Sequence, residues 1–137
     1  MKIYNLKLEE LHLLVDDVVK KFPSGIVILR GDLASGKTTF VKAIVKQMGI
    51  DSDVTSPTFS LQQCYGDKIF HYDIYNHGLE HFISLGMLEE LDKDGLHFVE
   101  WGDAELEKIL VNAGLDLLVI EIEKSSQKSR EYRVNYA

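Results

Sequence analysis

Gly31-Asp32-Leu33-Ala34-Ser35-Gly36-Lys37-Thr38 has the spacing G-x-x-x-x-G-K-[ST], which constrains this chain more than any other feature. Glycines let backbone N–H groups close around phosphate oxygens, the lysine reaches β- and γ-phosphates, and the following hydroxyl can ligate Mg²⁺. The flanks agree. Ile26-Val27-Ile28-Leu29 is a short, wholly apolar run, as a parallel strand buried on both faces requires. Beyond the loop, Phe40, Val41, Ile44, Val45 and Met48 recur at helical spacing, and Gly49 stands where a terminating glycine belongs. Strand, loop and helix in this order aim the helix N-terminus, with its unpaired N–H groups and positive dipole end, at an anion. The expected nucleotide contacts are Gly31, Ala34, Ser35, Gly36, Lys37, Thr38 and Thr39. Lys37 is the expected catalytic cation and Thr38 a metal ligand.

A chain of 137 residues predicts one domain, 1–137, near the lower size limit for such a fold. It leaves little room for a lid. No apolar stretch approaches the ~20 residues that cross a bilayer. Lys7, Glu9, Glu10, Asp16 and Asp17 interrupt what would be a signal peptide's apolar region. The single cysteine, Cys64, forms no internal disulfide and has no obvious activator, which fits a reducing cytoplasm. A net charge of −7 argues against binding nucleic acid unaided, since that takes a basic surface.

The remaining pattern predicts an α/β fold. Ile3–Leu6 reads as a first strand, and Leu8, Leu11, Leu14, Val15, Val18, Val19 and Phe22 as a helical stripe ended by Pro23-Ser24-Gly25. Phe59–Tyr65 and Ile69–Asp73 flank Gly66-Asp67-Lys68 as a hairpin. His77–Leu91 reads as helical, weakened by Gly86; Leu96–Val99 is a short buried strand, and Ala104–Ala113 a helix closed by Gly114. Leu115–Glu123 and Arg130–Tyr136 form a closing strand pair. The expected fold is P-loop NTPase-like, a parallel central sheet with antiparallel flanking strands and helices on both faces.

Phosphate chemistry also needs a carboxylate near the metal, set where a buried strand ends beside the loop. Asp73 and Glu100 meet that description and are the expected catalytic and metal-binding carboxylates. Glu121 and Glu123 alternate with apolar residues and read as solvent-facing. Thr55-Ser56-Pro57-Thr58 is hydroxyl-rich and follows the loop's helix, where a γ-phosphate-sensing switch would sit. His71 shares a strand face with Asp73 and is a candidate supporting partner, while His12, His77, His81 and His97 lack zinc-site spacing. No N-K-x-D guanine motif is present. Between Arg30 and Arg130 there is no arginine, which speaks against a kinase with an arginine-bearing lid. Arg130 and Arg133 are the arginines left to fold back toward a nucleotide.

Taken together, Gly31-Asp32-Leu33 with Gly36-Lys37-Thr38-Thr39, Thr55–Phe59, His71-Tyr72-Asp73-Ile74-Tyr75 and Val99-Glu100-Trp101 resemble the TsaE family. These are small bacterial ATPases of tRNA threonylcarbamoyladenosine synthesis. Arg130-Glu131-Tyr132-Arg133 is similar to the family's C-terminal arginine-containing strand. The resemblance implies ATP and Mg²⁺ as ligands, with Thr38 and Glu100 on the metal, Asp73 close by, and Trp101 and Arg130 near the nucleotide. It implies two switch-like segments, Thr55–Phe59 and His71–Tyr75. It further implies a TsaD–TsaB complex as partner, reset by ATP hydrolysis while it modifies adenosine next to the anticodon of tRNAs reading A-starting codons. The tRNA would be met only through that complex. Ala34-Ser35 stands where the family more often has Gly-Ala, and Asn76 where an arginine is common. Two other readings compete: a small-molecule or nucleoside kinase, and a nucleotide-gated interaction module with negligible turnover.

Overall fold

Period-two alternation along buried strands builds two hydrophobic layers from one sheet. A computed structural model describes residues 1–32, 35–51, 53–54, 61–76 and 78–136. Its strands are β1 (Lys2–Lys7), β2 (Gly25–Arg30), β3 (Gln62–Tyr65), β4 (Ile69–Asp73), β5 (Leu96–Glu100), β6 (Leu117–Lys124) and β7 (Ser129–Tyr136). Its helices are α1 (Leu11–Lys21), α2 (Lys37–Gln47), α3 (Gly78–Ser84), α4 (Met87–Leu91) and α5 (Ala104–Asn112). The strands form one sheet in the order β1-β7-β6-β2-β5-β4-β3. The centre, β6-β2-β5-β4, is parallel, whereas β7 and β1 on one side and β3 on the other are antiparallel.

Alternate residues of β2 serve opposite cores. Val27 and Leu29 pack with Leu14 and Val18 of α1 and Phe40 and Ile44 of α2. Ile26 and Ile28 pack with Leu106 and Leu110 of α5, Phe82 of α3 and Leu91 of α4. Helices thus cover both faces, as the sequence predicts. Phe40 and Phe98 are fully buried and meet edge to face at 6.2 Å beneath the N-terminal half of α2. Truncating such a residue to alanine typically costs about 3–5 kcal/mol.

Three expectations need correction. The stripe beginning at Leu8 does not run as one helix: Leu8–Glu10 is a single 3-10 turn, and Leu8 is 70 % exposed. The stretch expected to be helical over His77–Leu91 is two helices from Gly78 to Leu91, because Gly86 adopts φ +77° between α3 and α4, and His77 lies outside the described residues. Among the described residues the first arm of the hairpin, β3, starts at Gln62 and leaves out Leu61. Ala34 and the Thr55–Phe59 segment lie outside the described residues.

Candidate nucleotide site

The parallel topology carries the C-terminal ends of β2, β4 and β5 to one end of the sheet, where α2 begins. Gly31 and Gly36 hold φ values of +154° and +117°. At Gly31 a side chain would also collide with the Ile122 carbonyl and Ser35. Lys37, in the first turn of α2, is 4 % exposed. Its ammonium donates to the carbonyls of Gly31 (2.6 Å) and Asp32 (2.9 Å) and lies 4.0 Å from the Trp101 ring centre. Burial holds its pKa below the ordinary lysine range, while Glu100, Asp73 and Asp32 pull it back upward.

Pairing in register sets Asp73 of β4 directly beside Glu100 of β5, and alternation turns both onto the α2 side. Both are buried, at 5 % and 3 % exposure. Glu100 Oε2 accepts from the Thr38 hydroxyl at 2.8 Å and pairs with His71 Nε2 at 2.6 Å. His71 Nδ1 in turn meets the Tyr65 hydroxyl at 3.1 Å. Asp73 accepts the Tyr75 N–H at 2.9 Å, closing the turn after β4. His71 therefore bonds to one of the two carboxylates, Glu100. The face it shares with Asp73 was legible; the neighbour it grips required the β4–β5 register.

Trp101 follows Glu100 with φ +69°, a left-handed conformation that costs of order 1–3 kcal/mol for a bulky residue and signals a constrained site. Its ring lies 4.5 Å from that of Tyr75 and over Lys37. From the other side of the loop, Arg130 of β7 donates to the Ser35 carbonyl at 3.0 Å. Arg133 does not join it. Three residues on, it falls on the opposite face of β7 and binds Glu131 (2.7 Å), Glu123 (3.1 Å) and Glu121 (3.3 Å). Those contacts leave Glu123 exposed and Glu121 half-buried, in keeping with the solvent-facing reading. Cys64 is exposed on β3, and desolvation together with Glu90 pushes its thiol up, away from a reactive thiolate.

Ser35, Gly36, Lys37, Thr38, Thr39, Asp73, Glu100, Trp101 and Arg130 all line one cleft of about 830 Å³. Gly31 shapes the loop from behind. Leu8, Glu9, Gln127, Lys128 and Tyr132 line the same cleft, and sequence reading missed them because a 3-10 turn and a hairpin supply them from opposite ends of the chain. Among the described residues, no three His, Cys, Asp or Glu side chains cluster to hold a metal by themselves.

Comparison with known proteins decides the family. A profile for the threonylcarbamoyl adenosine biosynthesis protein TsaE matches residues 6–132. This chain belongs to the TsaE family. Among its TsaE relatives is the tRNA threonylcarbamoyladenosine biosynthesis protein of Treponema pallidum, 37 % identical over 99 residues, covering 68 % of this chain and 73 % of that protein. The TsaE proteins of Rickettsia felis (40 %) and Bacillus subtilis (38 %) match over 59 % and 58 % of this chain. These matches span about half of each relative's length (50 % and 51 %). The crystal structure of Bacillus subtilis YdiB superposes on all of this chain and 88 % of its own, with a TM-score of 0.66 and 27 % identity. The fold of the TsaE chain described here is accordingly P-loop-type α/β, and nucleotide binding is consistent with the family.

Proposed function

We propose that this chain is a single-domain Mg-ATPase that acts in tRNA threonylcarbamoyladenosine synthesis together with a TsaD–TsaB-like complex. The observation that carries the reading is the convergence of Thr38, Glu100, Asp73 and Lys37 in one cleft, with the Thr38 hydroxyl 2.8 Å from Glu100. Hydroxyl and carboxylate oxygens are the hard donors that Mg²⁺ takes. Two carboxylates, with no larger acidic or histidine cluster among the described residues, fit an ion that also binds phosphate oxygens. Thr38 and Glu100 would hold the ion, with Asp73 beside them, and it would supply neutralisation of charge on the transferring phosphoryl group.

The chain's own groups then have separate tasks. Loop N–H groups and Lys37 bind the β- and γ-phosphates. His71 fixes the Glu100 carboxylate, so that its orientation needs no rearrangement. Trp101 shields Lys37 from water and strengthens its field. Hydrolysis alone is slow in this reading, because no arginine between Arg30 and Arg130 completes a charge clamp. The net charge of −7 repels bare tRNA, so the partner is a protein and tRNA is met through it. Among the described residues no helix is long and apolar enough to cross a membrane, and we place the chain in the cytoplasm.

Turnover measured with the chain alone, with tRNA, and with the TsaD–TsaB complex tests this proposal. Stimulation should appear only with the complex. Repeated rounds of modification should need intact Lys37 and Glu100. Rapid hydrolysis by the isolated chain, or sustained modification without it, would overturn the reading. A labelled acceptor in place of free phosphate would instead make it a kinase.

A further inference from the structure

Three successive residues of β2 grip the turn that carries Trp101. The Leu29 carbonyl accepts the Trp101 N–H at 3.2 Å. One residue further, Arg30 Nε donates to the Gly102 carbonyl at 2.8 Å. One residue back, Ile28 packs so close that a Cβ at position 102 would lie 2.9 Å from its Cγ2, which only glycine avoids. The two hydrogen bonds bracket the backbone of Trp101, whose φ of +69° persists only where its surroundings over-determine it. Arg30 itself is fixed in place. Its side chain is 27 % exposed, and Nη2 donates to Glu107 Oε1 at 2.8 Å on α5. That helix starts two residues after the turn, where the Asp103 side chain accepts the Leu106 N–H at 2.9 Å.

We infer that Arg30 is a positioning residue for the nucleotide site, gripping the Gly102 carbonyl so that the Trp101 ring stays over the Lys37 ammonium. The inference rests on the Mg-ATP reading above. Alternation along β2 puts Arg30 on the α5 face with Ile26 and Ile28, whereas the Trp101 ring lies against Lys37 and Tyr75 on the α2 side. Arg30 therefore acts on the site from behind the sheet, through the turn. Its chemistry suits the task. A planar guanidinium sends one donor to a carbonyl and another to a carboxylate at once, which a single ammonium on a flexible stem does not match. Without the bond to Gly102 the turn can relax out of its left-handed conformation, and the ring leaves Lys37 open to water.

Trp101 is the chain's one tryptophan, so its fluorescence reports this turn. Excited where tyrosine does not absorb, and measured without nucleotide, the half-buried wild-type ring should be partly shielded from acrylamide. Arg30→Met keeps the aliphatic stem and removes both bonds. It should open the ring to acrylamide and move its emission to longer wavelength, while circular dichroism still reports a folded chain. Calorimetry in Mg²⁺ should show ATP bound about fivefold less tightly, the scale of one cation–π contact. Glu107→Gln leaves Arg30 an oxygen acceptor and deletes only the ion-pair charge, so quenching and affinity should match wild type. Should Arg30→Met fail to fold, Arg30→Lys takes its place, and the same shifts should appear at smaller size. Unchanged quenching in the folded variant, or altered quenching with unchanged ATP affinity, would overturn the positioning role. An equal effect from Glu107→Gln would do so too, by placing the effect in the ion pair. A wild-type chain that binds no Mg-ATP would instead sink the Mg-ATP reading, whatever the quenching shows.

Discussion

His71 and His97 sit on neighbouring strands with no exposed surface, yet their ring nitrogens are used differently. His71 faces the α2 side and meets a carboxylate, Glu100, at 2.6 Å. His97 faces the other core, stacked on Phe70 at 4.4 Å. It accepts the Tyr72 hydroxyl on Nδ1 at 2.7 Å and donates from Nε2 to the Lys93 carbonyl at 2.7 Å. That pattern fits one tautomer of a neutral imidazole, and burial holds the His97 pKa below its ordinary value. Burial is therefore a poor guide to which histidine belongs to a site. The partner is the guide: His71 grips an acidic group that is itself tied to the Thr38 hydroxyl in the candidate site, whereas His97 is stacked between aromatic rings and bonded to a backbone carbonyl.

The largest effect should come from removing the partner that distinguishes them. Glu100→Ala should lower partner-stimulated ATP turnover by about 10²-fold or more, the usual loss for one well-placed electrostatic group. Circular dichroism should still report a folded chain. Turnover within about threefold of wild type would remove Glu100 from the site and make His71 as structural as His97. Next comes His71→Asn, which keeps a polar side chain but shortens its reach. Because it acts through Glu100, it should raise the Mg²⁺ concentration needed for half-maximal ATP binding by about tenfold, the lower range for groups that orient a metal ligand. His97→Asn should leave that Mg²⁺ dependence where it is.

Much of this contrast lies beyond local sequence pattern. The glycine–lysine loop, the strand before it and the helix after it are short-range signals, and the structure reproduces their order. Asp73 and Glu100 were legible because each closes a run of apolar or strand-forming residues. The His71–Glu100 bond was not, since it depends on β4 and β5 pairing with Asp73 opposite Glu100. Leu8 misled in the opposite sense. Its spacing from Leu11 is helical, but a 3-10 turn at Leu8–Glu10 rotates it out of the core. The far wall of the cleft carried no signal at all, being built by the meeting of β1 and β7.

The same lesson recurs on β7 at a smaller scale. Composition alone leaves both Arg130 and Arg133 available and the family resemblance selects Arg130; an odd spacing puts the two on opposite faces. Arg130→Ala should weaken Mg-ATP binding several-fold, about fivefold, by removing a charged group beside the loop. Arg133→Ala should change it by less than about twofold, although it loses contacts to Glu121, Glu123 and Glu131. Equal losses in titration calorimetry would mean that the β7 face does not decide which arginine reaches the ligand.

The smallest expected effect isolates His97 as a purely structural ring. Its folded pKa is depressed, so as pH falls through the ordinary histidine range the unfolded chain takes up a proton that the folded chain refuses. Stability should consequently drop from about pH 7 toward pH 5, with a slope from this residue of at most about 1.4 kcal/mol per pH unit. Below the depressed folded value both states bind the proton and this contribution stops changing. Glutamine at this position offers an N–H and an oxygen for the Lys93 carbonyl and the Tyr72 hydroxyl but cannot titrate. His97→Gln should cost stability at pH 7, where it loses the stacking on Phe70, yet give a shallower decline on acidification. Urea unfolding of both chains at several pH values between 5 and 7.5 would show this as converging stabilities. Parallel curves would mean that His97 is not the proton acceptor that unfolding exposes, and its separation from His71 would then rest on geometry alone.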